Sequence, residues 1–427
     1  MDTSTVSLPF GKSEIKMKLP LENLRVVVPK DPPALQNENQ EMRTALLKPI
    51  ESEFLSEIVN PQSRVALLVS DITRPVPNRK IVPLILKELR KASVCADKIT
   101  IVVATGMHRS NTEAELELML GREVLKKVKV VNHNAFDKEN LNYIGETSKN
   151  TPFWVNKIVF DADVKILTGY IEPHEFAGFT GGRKSILPGV SGIATIDKNH
   201  GPEMLNHPKA RIGILDGNPI HEDMVEAAKM VGVNFIINVI LNSQKKIAKV
   251  VAGDLIKAHL MGVKFYEQYS RAKVGEPADI VMASAGYPLD INLYQSVKSL
   301  VAAEAFVKKD GVIILFAECV EGVGHHSFFE CLRRSTSAED MLKNIDELVK
   351  MNMHVAELDH CYLLARILKK CKVIVVSSSP LVKEISENLI ITTESPNEAL
   401  SIALKREGKS ASITVLPYAT RIIPEYT

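Results

Sequence analysis

Apolar runs of strand length alternate with amphipathic stretches of helix length along almost the whole chain, and no other feature constrains the fold as strongly. A strand whose following helix carries the chain back over the sheet lays its neighbours parallel. The pattern therefore predicts an α/β architecture with largely parallel sheets. The start is different: residues 5–9 and 14–19, around Gly11, read as a short N-terminal β-hairpin that leads into a strand at 24–28. Helices are predicted at 41–47, 79–91, 112–120, 219–231 and 254–271, and strands at 64–70, 98–104, 127–132, 164–168 and 234–241. A polar, Gly- and Pro-bearing segment at 273–279 precedes a fresh series: strand 280–284, helix 293–308, strand 311–316, helices 338–351 and 363–370, and strand 372–376.

At 427 residues the chain is long enough for two or three domains. The expected division is an N-terminal cofactor-binding α/β domain, 1–272, and a smaller C-terminal α/β domain, 279–410, with an active-site cleft between them. The tail 411–427 could return to the N-terminal domain.

The formal charge is +2, without dense basic blocks, which gives no electrostatic footprint for nucleic acid or an anionic membrane. No apolar run approaches the ~20 residues that cross a bilayer. Five cysteines without a C-x-x-C pair read as free thiols. With a polar N-terminus, these features predict a cytoplasmic protein whose partners are small molecules.

Polar residues gather where strands end. Ser70-Asp71-Ile72-Thr73-Arg74-Pro75 follows one strand, and Arg74 carries a planar fork suited to a carboxylate or phosphate. Its structural alternative is a strand-to-helix turn with Asp71 as cap. Thr105-Gly106-Met107-His108-Arg109 follows the next strand, and the turn would expose His108 for acid/base work. A third block, Gly169 to Gly189, is dense in Gly, His, Arg and Lys. Backbone N–H groups beside Arg183 and Lys184 would cradle an anion there.

Residues 178–185 nearly fit the phosphate-binding pattern G-x-x-x-x-G-K-[ST], but Arg183 replaces the second glycine. Lys184, beside a like charge, could alternatively serve as a nucleophile. His200, His207 and His221 lack the spacing of a zinc cage, so any metal would need donors from outside the chain. Gln295 and Lys298, three apart near a helix start, could reach an anion.

Taken together, Asp71-x-Thr73-Arg74-Pro75, Gly106-Met107-His108-Arg109, the block from Glu172 to Ser185, Asn199-His200-Gly201 and Tyr294-Gln295-x-x-Lys298 resemble the nickel-dependent lactate racemase family. That resemblance implies a nickel-pincer nucleotide, Ni(II)-pyridinium-3,5-bisthiocarboxylate mononucleotide, made by separate maturation enzymes. By motif, Lys184 would bear its thioamide link and His200 would ligate nickel. Asp71, Ile72, Thr73 and Arg74 would line cofactor and substrate. His108 and His174 would be the acid/base pair, and Gln295 and Lys298 would contact the substrate with Arg74.

The chemistry agrees with this assignment. The α-hydrogen of a 2-hydroxy acid is too weakly acidic for easy removal as a proton, so a transient keto acid formed by hydride transfer is the more direct way to erase the stereocentre. The expected function is interconversion of D- and L-lactate or a close relative. Two other classes remain open at this level: a phosphotransferase using residues 178–185, and a non-catalytic organic-acid-binding protein.

Overall fold

The computed structural model describes residues 3–425 except Asn352 and Ser386. The chain divides into two compact units. One holds Asp31–Asn199 and Lys209–Tyr269; the other holds the described residues of 1–30, His200–Pro208 and those of 270–427. Each is built on a six-stranded sheet, as the alternating pattern predicts.

In the first unit the strand order is Ile247–Gly253, Phe235–Leu241, Val164–Tyr170, Val65–Ser70, Ile99–Ala104, Lys129–Asn132. All neighbours are parallel except the first pair, an antiparallel hairpin at the edge. The sheet starts at Val65–Ser70, advances in one direction through two strands, then resumes on the opposite flank with Val164–Tyr170. That reversal is a topological switch point. Loops leaving the carboxyl ends of two adjacent strands diverge there and open a crevice, the general ligand site of open α/β sheets.

The inner strands are apolar almost throughout because helices cover both faces. Helix Asn78–Lys91 buries Ile81, Val82, Ile85 and Leu89 against them. Each such side chain contributes ~1.5–3 kcal/mol relative to exposure.

The second unit carries an all-parallel sheet in the order Ile391–Thr393, Lys372–Val376, Val307–Phe316, Ala278–Ser284, Ile413–Leu416, Leu24–Val26. Its switch point lies between Ala278–Ser284 and Ile413–Leu416. The N-terminal hairpin, Thr3–Phe10 with Ser13–Pro20, lays Val6, Leu8, Met17 and Leu19 onto the same core as Ile280, Ile314 and Val415.

This division differs from the expected 1–272, 279–410 and returning tail. The first thirty residues and the strand Ile413–Leu416 join the C-terminal sheet, because strand pairing is non-local and leaves no local sequence mark. Residues 200–208 join it as well. The expected helix 293–308 ends at Ala303, and its last residues start the strand Val307–Phe316.

Candidate active site

Three loops leave the carboxyl ends of adjacent strands of the first sheet. After Val65–Ser70, Asp71 is buried and makes a tight turn: its Oδ1 accepts the Thr73 N–H at 3.1 Å and the Thr73 hydroxyl at 2.6 Å. Its other oxygen lies 2.6 Å from Nδ1 of His108. Burial pushes the Asp71 carboxyl up, but His108, Arg74 and Thr73 outweigh it and hold it below the usual range. An ionised carboxylate only accepts, so Nδ1 of His108 carries the proton and Nε2 is left to face a ligand. The His108 side chain keeps 39% of its surface exposed, enough to meet one. Gly106, at φ +56°, makes the turn that brings it there, with its N–H bonded to Gly189 O at 2.9 Å.

The third loop follows Val164–Tyr170. Burial, with the charge of Glu172, pushes the Tyr170 hydroxyl well above its usual range, and as a neutral donor it bonds Glu172 Oε1 at 2.5 Å. Pro173–His174 pairs antiparallel with Gly178–Phe179. His174 lies edge-on to Phe176, with ring centroids 4.5 Å apart. Its Nδ1 is 3.3 Å from Glu175 Oε2, and its Nε2 is 3.1 Å from Lys184 Nζ.

Arg74 connects the two clusters electrically. Burial works against its charge, yet Tyr170, Asp71, Glu172 and Glu175 together raise its pKa. A permanent guanidinium thus interacts electrostatically with carboxylates of both clusters, Asp71 and Glu175.

Arg183 corrects the sequence-based expectation of an anion cradle. Its side chain is 1% exposed and turned inward. There it donates to the carbonyls of Ala177 (2.9 Å), Phe179 (2.7 Å), Thr180 (3.3 Å) and Gly181 (3.1 Å). Burial lowers its pKa to about 9. This arginine folds the loop that aims Lys184 and does not itself hold a ligand.

Gly181 is required in that loop. At φ +80°, an added Cβ would stand 2.8 Å from Tyr170 O. The expected phosphate-loop geometry is also missing. Residues Gly182–Ser185 form a single 3-10 turn, and the next helix begins only at Ile193, so no helix N-terminus receives an anion at Lys184.

His200 is buried directly after helix Ile193–Asn199. The preceding Asn199 donates to buried Asp223 at 2.7 Å. In the second unit, Gln295 and Lys298 lie on helix Leu293–Ala303, capped by Asn292, whose Oδ1 accepts the Gln295 N–H at 2.9 Å. Their neighbour Tyr294 donates to Asp359 Oδ1 at 3.1 Å and packs 4.0 Å from the His360 ring.

Among the sequence-predicted residues, Asp71, Ile72, Thr73, Arg74, His108, His174 and Lys184 share one unit, whereas His200, Gln295 and Lys298 belong to the other. Sequence reasoning gave no role to Glu175, Tyr170, Asp359 or His360. For Glu175 the only signal was its position beside His174.

The lactate racemase N-terminal domain model matches residues 10–213, and the lactate racemase C-terminal domain model matches residues 274–423. The chain is 36% identical over 429 residues to the lactate racemase of Thermoanaerobacterium thermosaccharolyticum, covering 98% of this chain and 99% of the relative. It is 35% identical over 421 residues to the lactate racemase of Lactiplantibacillus plantarum, covering 98% and 99%. Among solved structures, the lactate racemase apoprotein from T. thermosaccharolyticum aligns with a TM-score of 0.92 at 35% identity, covering 99% of this chain and 100% of that one. A Thermotoga maritima protein of 17% identity shares the fold, with a TM-score of 0.67 over 91% and 98% of the two chains. With both domain models matched in order and full-length relatives above 30% identity, the chain belongs to the lactate racemase family, a family of isomerases.

Proposed function

We propose that this chain interconverts D- and L-lactate, or a closely related small 2-hydroxy acid, using a nickel-pincer nucleotide anchored at Lys184. The observation that carries the reading is the pairing of two imidazoles with carboxylates beside one guanidinium at a switch point: His108 with Asp71, and His174 with Glu175, around Arg74.

The residues present fit such a group. Lys184 offers an amine next to a ring nitrogen, and His200 is a buried imidazole that would supply the protein ligand to nickel. No cluster of three His, Cys, Asp or Glu side chains occurs among the described residues. A metal here would take its remaining donors from an organic group that brings sulfur and carbon. When bound, the nickel-pincer nucleotide supplies an acceptor for the substrate hydride and returns it. Separate maturation enzymes would make it, and a cytoplasmic location fits that supply.

The chain's own residues handle the carboxylate and the hydroxyl proton. Arg74 binds the substrate carboxylate, because a planar fork fixes its orientation as well as its charge. Asp71, Ile72 and Thr73 line the cofactor. Asp71 holds His108 so that Nε2 is the basic nitrogen, ready to take the hydroxyl proton of one enantiomer. His174 serves the other, its imidazolium form stabilised by Glu175. In each direction one imidazole takes the hydroxyl proton of the substrate, and the other, as imidazolium, gives a proton to the oxygen of the opposite enantiomer.

The test is loss of optical activity across a panel of 2-hydroxy acids after loading the mature cofactor. Lactate should racemise, and His108→Ala and His174→Ala should each lower kcat by about 10²–10⁴-fold. Unchanged activity in both variants would refute the acid/base assignment. A holoprotein mass that is unaffected by Lys184→Ala would refute the anchor.

A further inference from the structure

Asn111 joins the two loops that carry Asp71 and His108. It lies three residues beyond His108 and just ahead of Thr112, which caps helix Glu113–Leu120. Its side chain reaches the neighbouring loop, where Oδ1 accepts the Ile72 N–H at 3.0 Å. Ile72 directly follows Asp71, inside the turn that Asp71 Oδ1 closes on Thr73. A single amide thus ties the backbone of one loop to the other.

Asn132 holds that amide in place. It ends the strand Lys129–Asn132, beside Ile99–Ala104 in the sheet. Its Oδ1 accepts both the Asn111 N–H and the Asn111 Nδ2–H at 3.0 Å, and its Nδ2 donates to Asn111 O at 3.1 Å. With Nδ2 of Asn111 committed to Asn132, Oδ1 faces Ile72, so one orientation of the amide satisfies every bond. Asn111 is buried, where such bonds meet little competition from water.

We propose that Asn111, braced by Asn132, is a positioning residue for the acid/base machinery: it clamps the Asp71 turn to the His108 loop and so keeps the His108 proton on Nδ1. The proposal rests on the reading of His108 as a base given above. Asp71 Oδ2 lies 2.6 Å from His108 Nδ1, and that contact bridges two loops leaving adjacent strands. A carboxylate fixes a tautomer only within hydrogen-bond distance, so a shift of the turn by ~1 Å would break the bond without removing either group. Local bonds hold each loop to itself: Arg74 N–H to Asp71 O at 3.1 Å, and His108 N–H to Thr105 O at 2.9 Å. The Asn111–Ile72 bond acts between the loops. Asn111 touches no reacting atom in this scheme and works only through Asp71.

Two measurements on the full-length chain test the clamp. The first needs no cofactor: ring-¹⁵N histidine spectra at about pH 8.5, about two units above the usual imidazole range, with His108 assigned by its loss in His108→Gln. In the parent, Nδ1 of His108 should carry the proton and Nε2 should not. Asn111→Ala, in which a water can take over the Ile72 N–H, should move the ring to a mixture of both tautomers. Asn132→Ala should do the same to a smaller extent. His133, whose Nε2 donates to Ser191 O at 2.9 Å, should keep its tautomer in Asn111→Ala, which a general loosening of the fold would not allow.

The second measurement is racemisation by the loaded enzyme. Asn111→Ala should lower kcat about tenfold with little change in KM, since a reacting group misplaced by about 1 Å can cost up to about 10²-fold. In the Asp71→Asn background the same substitution should cost less than about twofold, because the link it acts through is already gone.

A His108 tautomer indifferent to Asn111→Ala would overturn the proposal, as would a His133 ring that changes with it, or kcat losses that multiply in the double variant. A parent whose His108 does not hold its proton on Nδ1 would overturn it too. If the tautomer responds but no loaded chain racemises any 2-hydroxy acid, the functional reading falls and the clamp stands. Racemisation at the parent rate in Asn111→Ala does the reverse.

Discussion

Acid should loosen the loops of the first unit before its carboxylates titrate, and His133 allows that effect to be isolated. The His133 ring is 1% exposed. Nε2 donates to Ser191 O at 2.9 Å, and Nδ1 accepts from Asn156 Nδ2 at 3.2 Å. Asn156 cannot turn over to help a second ring proton, because its Oδ1 already caps Ile158 N–H at 3.0 Å. Protonating Nδ1 therefore sets donor against donor in a dry site, and burial lowers the His133 pKa from 6.5 to about 4. Burial, with Arg183 nearby, lowers that of His259 to about 3.

The unfolded chain binds these protons below pH 6.5, while the fold does not until pH 4 or lower. The stabilisation is complete above 6.5 and is lost as pH falls. At ~1.4 kcal/mol per proton per pH unit, each ring costs about 2 kcal/mol by pH 5, together about 4. His221 shifts the same way.

The assay is urea unfolding at pH 7.5 and pH 5.0, read by the fluorescence of Trp154, the only tryptophan, which lies in the strand Pro152–Asn156 of this unit. His133→Gln can keep both hydrogen bonds without titrating, so it should be about 2 kcal/mol less sensitive to the pH drop than the parent. An identical pH dependence in parent and variant would refute the reasoning, as would a parent that loses nothing between 7.5 and 5.0. The functional consequence follows from Thr105, whose hydroxyl donates to His133 O at 2.7 Å at the base of the His108 turn.

Two further substitutions probe the site. Arg183→Met should destabilise the first unit by about 3–5 kcal/mol, because it strips a donor from four buried carbonyls, Phe179 O losing a 2.7 Å bond. A melting temperature lowered by less than about 3 °C would contradict that loop-folding role. In the cofactor-loaded protein, Asp71→Asn should lower kcat by about 10²-fold with little change in KM, since the amide no longer fixes the His108 proton on Nδ1. An unaltered kcat in a racemisation assay would show that Asp71 does not orient this base.

The largely apolar runs that became Val65–Ser70, Ile99–Ala104, Val164–Tyr170 and Phe235–Leu241 were legible because strands buried on both faces carry few polar residues. The hairpin Leu141–Glu146 with Pro152–Asn156 was not, because it is antiparallel, partly exposed and interrupted, and in the almost wholly buried edge strand Ile247–Gly253 Lys249 breaks the apolar run. His108 could be singled out because it follows a strand end and its imidazole suits acid/base work, whereas His174 took its expected role only from the family motif around Glu172 to Ser185. Glu175 could not, because its value depends on a 3.3 Å contact with one ring nitrogen.

What the sequence alone determined is the alternation of elements and the identity of the reactive groups, both of which are local properties of residue type and spacing. Only the tertiary structure decided that Leu24–Val26 and Ile413–Leu416 complete the C-terminal sheet, and that Arg183 turns inward while its neighbour Lys184 meets His174. Strand partners and side-chain direction are settled by contacts between distant residues. A sheet edge accepts any strand of suitable pattern, and a guanidinium goes wherever backbone carbonyls converge.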